Sequence, residues 1–279
     1  MKLRFLLILS LFIGNAVVLL GAPTVVVPAG IDHAQWTTLL EKYVNAEGLI
    51  AYKSWLNNEK DMKALDHYID QFASEAEFPA KGNEEIASLI NAYNAFVIKW
   101  ILEHYPTPSI REISKTWRGK RWTIGGKPIS LDNLEYLNVR PLISWKAHGV
   151  LVCAARSCPP LPQKAYVAET LDAQINDAFK TWIGRPDLNT FDLEDRVVNV
   201  SKIFEWFAED FNEYPKGTRG VLALYAPKRY EDFIKHGQYT ISYKDYNWGL
   251  NDQSDLGKDY KLSFFRLLFS STKRRSQHT

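Results

Sequence analysis

The feature that most restricts this chain is the run between Glu84 and His104. Ile86, Leu89, Ile90, Tyr93, Val97, Trp100 and Ile101 recur there at three- and four-residue steps, which predicts an amphipathic α-helix with a wide apolar face. Pro106 and Pro108 stop it, because proline lacks the amide a helix interior needs. So broad an apolar face has to be covered on most sides, so the helix belongs in the middle of the fold. Around it the pattern predicts further helices. Asp32 caps one that carries Trp36, Leu39, Leu40 and Tyr43, and another spans Glu59 to Phe72. Others cover Ala168 to Ile183, Ser201 to Asp210, Gly220 to Tyr225 and Tyr230 to His236. Strand signals are shorter. Residues 121–130 read as a hairpin turning at Gly125-Gly126, followed by a short helix from Leu131 to Leu137 capped by Ser130. Ala147 to Ala154 reads as a buried strand, Thr190 to Val200 as a hairpin, and Tyr239 to Tyr243 as a late strand. The expected class is α+β: a single domain, with a mainly antiparallel sheet packed against several helices.

Composition removes several function classes. With 46% hydrophobic and 13% aromatic residues the 279-residue chain is globular, and at this length it buries a core without staples. A net charge of +2 gives no reason to expect nucleic acid as a partner. Lys2 and Arg4 precede an apolar run from Phe5 to Ile13, and small residues follow, which is the order of a secretory signal. The expected organisation is a signal peptide over 1–22 with an uncertain cleavage point, one globular domain over 30–255, and a C-terminal extension over 256–279 with the basic tail Lys273-Arg274-Arg275. That places the protein in the periplasm or outside the cell, with an uncleaved N-terminal anchor as the alternative and no stable membrane span once the signal is removed.

Seven segments, in order, resemble the bacterial, exported branch of the domain-of-unknown-function family 547. They are Gly48-Leu49-Ile50-Ala51-Tyr52, Asn91-Ala92-Tyr93-Asn94-Ala95, Ser130-Leu131-Asp132-Asn133-Leu134-Glu135, His148 through Cys153, Ser157-Cys158-Pro159-Pro160, Ser201-Lys202-Ile203-Phe204 with Asp210-Phe211, and Tyr246-Asn247-Trp248. The resemblance covers roughly residues 33 to 251 and implies fold and exported context more than a reaction. Two departures stand out. Tyr136 takes the place where members often carry His, and Ser144-Trp145-Lys146 fills a stretch where they often carry Asp-Pro-Arg. A buried helix followed by a strand that begins with His is also similar to the layout of papain- and transglutaminase-like thiol enzymes, although there the Cys opens the helix.

The chemistry-bearing residues fall in these segments. Cys153 and Cys158 are the chain's two cysteines, and His148 precedes them closely. An imidazole beside a thiol raises its thiolate fraction, and the thiolate attacks a carbonyl. In a regular strand His148 and Cys153 point to opposite faces, so Cys158, on the following turn, is the preferred nucleophile, with His148 as base. Glu135 is the candidate group that orients the imidazole, as a third polar residue does in triads. Asn91 and Asn94 are candidate oxyanion donors; with Tyr93 and Arg140 they make up the expected substrate-binding set. Plainer readings stand beside these. Two close cysteines in an exported chain also read as a disulfide, or as unpaired structural thiols. His148 can be a satisfied core histidine, the asparagines can serve loop backbone, and Glu135 with Arg140 can be a simple ion pair. The six histidines form no paired ligand spacing and no Gly-rich loop opens a helix, so neither metal nor cofactor is expected. Trp117, Trp122, Trp145, Tyr246 and Trp248 fall in loop-like places, where aromatics line a groove or cover sheet ends. Two functions follow. One is an exported thiol-dependent hydrolase or transferase acting on amide or peptide bonds, with a peptide or envelope-derived small substrate. The other is a non-catalytic envelope binding module with a Cys153–Cys158 disulfide and an aromatic groove.

Overall fold

The computed structural model describes residues 25–261. The expected signal peptide over residues 1–22 and the Lys273-Arg274-Arg275 tail lie outside the described residues. The chain opens with α1 (Ala34–Tyr43), α2 (Tyr52–Leu56) and α3 (Glu59–Asp70). Asp32 Oδ1 accepts from the Ala34 amide at 2.9 Å at the start of α1, and the Asn58 side chain accepts from the Asp61 amide at 3.1 Å at the start of α3. The long helix α4 (Asn83–Glu103) runs where its periodicity predicts. Every residue from 87 to 98 is buried, so its surroundings extend over all its faces. Glu84 and Glu85 in the first turn complement the helix dipole.

Aromatic rings join α4 to the first three helices. Trp36 stacks on Tyr68 at 5.4 Å, Tyr43 on Trp55 at 4.5 Å, and Phe72 meets Phe96 edge-on. Phe96 in turn stacks on Trp122 at 4.6 Å, which ties α4 to the hairpin of β1 (Trp122–Ile124) and β2 (Lys127–Ile129). The hairpin turns at Gly125 and Gly126, both with positive φ, as a two-residue turn between right-twisted strands requires.

The chain then makes three short helical pieces without a break: α5 (Leu131–Leu134), a π-helical turn (Glu135–Val139) and α6 (Arg140–Ile143). Ser130 caps the first by accepting from the Asn133 amide at 3.1 Å. Next comes α7 (Ala147–Val150), where a strand was expected. A short apolar run has no periodicity that separates a strand from a buried helical turn. Here the Leu151 amide closes a helical bond on Ala147 O at 3.0 Å, and the chain becomes extended only at Leu151. The helix-then-strand order expected after α4 is therefore replaced by helix then helix around His148.

The second half holds α8 (Leu171–Gly184), the hairpin of β3 (Thr190–Asp192) and β4 (Val197–Val200), then α9 (Ile203–Trp206), α10 (Ala208–Phe211), α11 (Gly217–Tyr225), α12 (Glu231–His236) and β5 (Thr240–Tyr243). β3 pairs antiparallel with β4, and β5 joins β4 in parallel. The strands thus form two small sheets, one antiparallel and one mixed, within a largely helical α+β domain. A second aromatic core holds this half: Trp145, Phe179, Trp182, Phe204 and Phe211 pack in sequence, with Trp182 and Phe204 nearly parallel at 4.9 Å.

Gly149 sets how closely α7 approaches α8. A Cβ there would lie 2.3 Å from the Phe179 ring, which is itself fully buried. Gly149→Ala is expected to lower unfolding free energy by about 2 kcal/mol, the usual cost of overpacking, measured by denaturant titration. An unchanged midpoint would show that the ring has room to retreat.

Candidate functional site

The π-helical turn gives the site its first two residues. The Arg140 amide bonds to Glu135 O, an i to i+5 contact, which brings residues five apart one above the other. Glu135 and Arg140 therefore share a side of this segment, and π turns recur at functional positions. Arg140 reaches across to Asp210 on α10, where its Nη2 donates to Oδ1 at 2.5 Å and also to Oδ2. Its guanidinium lies over the Tyr136 ring at 4.5 Å.

His148, on α7, is only 5% exposed. Its ring stacks on Phe207 at 3.9 Å, at the break between α9 and α10, and its Nε2 lies 2.6 Å from Asp210 Oδ2. Burial pulls the imidazole pKa below its usual value, more than the hydrogen bond and charge of Asp210 push it up. The ring is thus neutral at neutral pH. Because a carboxylate only accepts, the proton sits on Nε2 and the lone pair on Nδ1. Among the described residues Nδ1 has no hydrogen-bond partner. Burial raises the Asp210 carboxyl, but the His148 hydrogen bond and the Arg140 charge outweigh it, and the net shift is downward. Asp210 stays ionised.

Glu135 behaves in the opposite way. Burial pushes its carboxyl up to about 7 against the pull of Arg140, and the nearby charges of Asp132 and Asp210 add to the rise. The Tyr93 hydroxyl donates to Glu135 Oε2 at 3.3 Å. A folded-state pKa above the unfolded value of 4.5 gives stability that is full below that value and is lost as pH rises through about 7. Glu135→Gln is therefore expected to raise the melting temperature at pH 8 and leave it nearly unchanged at pH 4, read by thermal melts at both. A loss of stability at pH 8 would mean that the ionised carboxylate is held by partners rather than tolerated.

Of the residues singled out from sequence, Arg140 and His148 meet on Asp210, and Tyr93 meets Glu135, whose carboxyl feels the Arg140 charge. The expectation that Glu135 orients His148 is corrected, because the imidazole proton goes to Asp210. That partner lies 62 residues along the chain, on a helix of four residues, and its one sequence signal was its place in the Asp210-Phe211 segment. Asn91 and Asn94 are occupied with backbone. Asn91 donates to Tyr166 O at 2.7 Å and accepts from the Tyr166 amide at 3.0 Å. Asn94 donates to Val150 O at 3.0 Å and accepts from the Val152 amide at 2.9 Å, so it fixes the exit of α7. Each asparagine satisfies a loop that has no secondary-structure partner there.

The cysteines form a separate group. Cys153 and Cys158 are paired as a disulfide, with Cα atoms 6.4 Å apart. The Tyr246 hydroxyl lies 3.1 Å from Cys158 Sγ and 3.4 Å from Cys153 Sγ, and the polar neighbours of both sulfurs do not include His148. Cys158 as a free nucleophile activated by His148 is thus not what the structure holds. Tyr246 also packs with Trp206 and Trp248, with ring centroids 4.7 Å away in each case, and Arg111 sits 4.7 Å over Trp248. Trp206 is the neighbour of Phe207, so the α9–α10 break joins the imidazole to the aromatic cluster. Among the described residues no three of His, Cys, Asp and Glu gather as ligands for a metal ion, and no helix is long and apolar enough to cross a membrane.

Comparison with known proteins gives a match to a family model. No curated protein and no solved structure matches the chain. The matching segment begins just before α4 and ends within α8, so it carries Tyr93, Glu135, Arg140, His148 and both cysteines but stops short of Asp210. Residues 79–183 match the model of the family described as Protein of unknown function, DUF547.

Proposed function

We propose that this chain is an exported hydrolase of amide or peptide bonds, in which His148 activates a water and Glu135 protonates the leaving amine. One observation carries the reading. Two carboxyls that both feel the Arg140 charge are driven apart in pKa, Asp210, which holds the neutral imidazole, downward and Glu135 up to about 7. Such divergence separates an ionised orienting group from a proton donor. Asp210 holds the ring through Nε2 and leaves Nδ1 to take a proton from water, while Arg140 keeps Asp210 ionised and fixed. Amide hydrolysis needs both parts, a base for the nucleophile and an acid for a poor leaving group. The nucleophile in this reading is water, since both sulfurs are engaged in the disulfide.

The test is amine release from a panel of short peptides across pH. Activity is expected to be bell-shaped. It falls on the acid side as His148 protonates, below its usual pKa of 6.5, and on the alkaline side as Glu135 ionises near 7. Glu135→Gln should lower the maximum and remove the alkaline limb. If the panel gives no release, or if the profile is indifferent to Glu135→Gln, the catalytic reading fails.

The half-buried Trp206, Tyr246 and Trp248, with Arg111 above, favour a second reading: a non-catalytic envelope module that holds a peptide or glycan on this cluster. Peptide or glycan binding that Trp248→Ala abolishes and Glu135→Gln leaves intact, without turnover, would select it.

A further inference from the structure

The disulfide has no part in the acid–base reading, yet its surroundings are polar in a directed way. Cys158 Sγ accepts from the Cys153 amide at 3.1 Å and lies 3.1 Å from the Tyr246 hydroxyl, which must be the donor to a bridged sulfur. Cys153 Sγ has the same hydroxyl at the longer distance of 3.4 Å. Cys158 is 4% exposed, whereas Cys153 is half-buried and more open to solvent. Donors converging on one sulfur stabilise it as a thiolate, and a stabilised thiolate is the better leaving group in exchange. The more exposed sulfur is then the one an incoming thiol attacks.

We propose that Cys153–Cys158 is a thiol–disulfide exchange site that accepts electrons from a small or protein-borne thiol. The thiolate of that thiol attacks Cys153 Sγ, the Cys153–Cys158 bond breaks, and its electron pair leaves on Cys158 Sγ, held by the Cys153 amide and Tyr246. A second thiolate attacks the outer sulfur of the mixed disulfide at Cys153. The two donors depart as one disulfide, and the two cysteines take up two protons as thiols. Two thiols are oxidised and one bridge is reduced.

The experiment uses the full chain, purified without reductant, and reduced glutathione as probe, with alkylation and intact-mass measurement. Two alkyl groups are expected to appear in the folded protein without denaturant. Tyr246→Phe, which keeps the ring and removes the donor, should slow opening about fivefold, the value of one neutral hydrogen bond. With oxidised glutathione, Cys158→Ser should form the mixed disulfide at Cys153 faster than Cys153→Ser forms one at Cys158. A bridge that opens only in denaturant, an unchanged rate in Tyr246→Phe, or the reverse order of the two serine variants would each overturn the proposal. If a serine variant fails to fold, Tyr246→Phe still decides it, because its bridge is intact.

Discussion

Asp210→Ala is expected to lower the unfolding free energy by about 3 kcal/mol, the largest stability loss of any single polar substitution at the site. Asp210 is the common acceptor for Arg140 and His148, and those side chains are 19% and 3% exposed. Truncating it leaves a guanidinium and an imidazole N–H without their partner in a half-dry place. Breaking a buried pair costs about 3–5 kcal/mol, and partial exposure of Arg140 lets water return some of that, which sets the figure at the lower end. Asp210→Asn keeps the shape and one acceptor oxygen and should lose less. Replacing both partners, as in Arg140→Met with Asp210→Leu, should recover part of the loss, because no charge is then stranded. Denaturant titrations of the four proteins check this. A loss below 1 kcal/mol in Asp210→Ala would mean that the three groups are solvated independently and that α10 is held by its apolar side chains alone.

The parts of the fold that could be read from sequence are those that local physics determines. The α4 pattern runs through 21 residues, and no other element satisfies it. Ser130 caps α5 because it offers an oxygen to the Asn133 amide three residues on, and Asp32, one residue ahead of the His33 N-cap, does the same for the Ala34 amide. Both hairpins announce themselves by their turns. What could not be read depends on distant partners. Residues 147–150 are helical because Asn94, 56 residues before Val150, takes Val150 O and the Val152 amide and so holds the chain where the helix ends. The π turn at Glu135 inserts no recognisable residue type. Asp210 is one of many acidic residues, and only packing of α10 against α7 reveals that it faces an imidazole. The sequence reading named His148 and Glu135 with both cysteines, and Tyr93 and Arg140 with both asparagines, and gave the imidazole Glu135 as its partner where the structure has Asp210, since residues close in sequence are the natural first guess for a contact. The cysteine alternatives were likewise open, because a spacing of five permits both a bridge and two thiols.

His148→Gln is expected to lower kcat for peptide hydrolysis by about 10²–10⁴-fold, the usual worth of a positioned general base. Glutamine suits this test because its amide N–H can still donate to Asp210, so the Arg140–Asp210 pair keeps its second donor and the fold loses less than in Asp210→Ala. Its carbonyl oxygen, unlike the Nδ1 lone pair, does not take a proton near neutral pH. The variant therefore separates base from scaffold. The acid limb of the pH profile, which belongs to His148, should disappear with the lost rate, while the alkaline limb set by Glu135 near 7 persists in the residual activity. KM should change little, because the imidazole acts on water and not on the bound part of the peptide. A kcat within tenfold of the parent, or an acid limb that survives the substitution, would leave His148 as a core histidine whose hydrogen bond to Asp210 only joins α7 to α10.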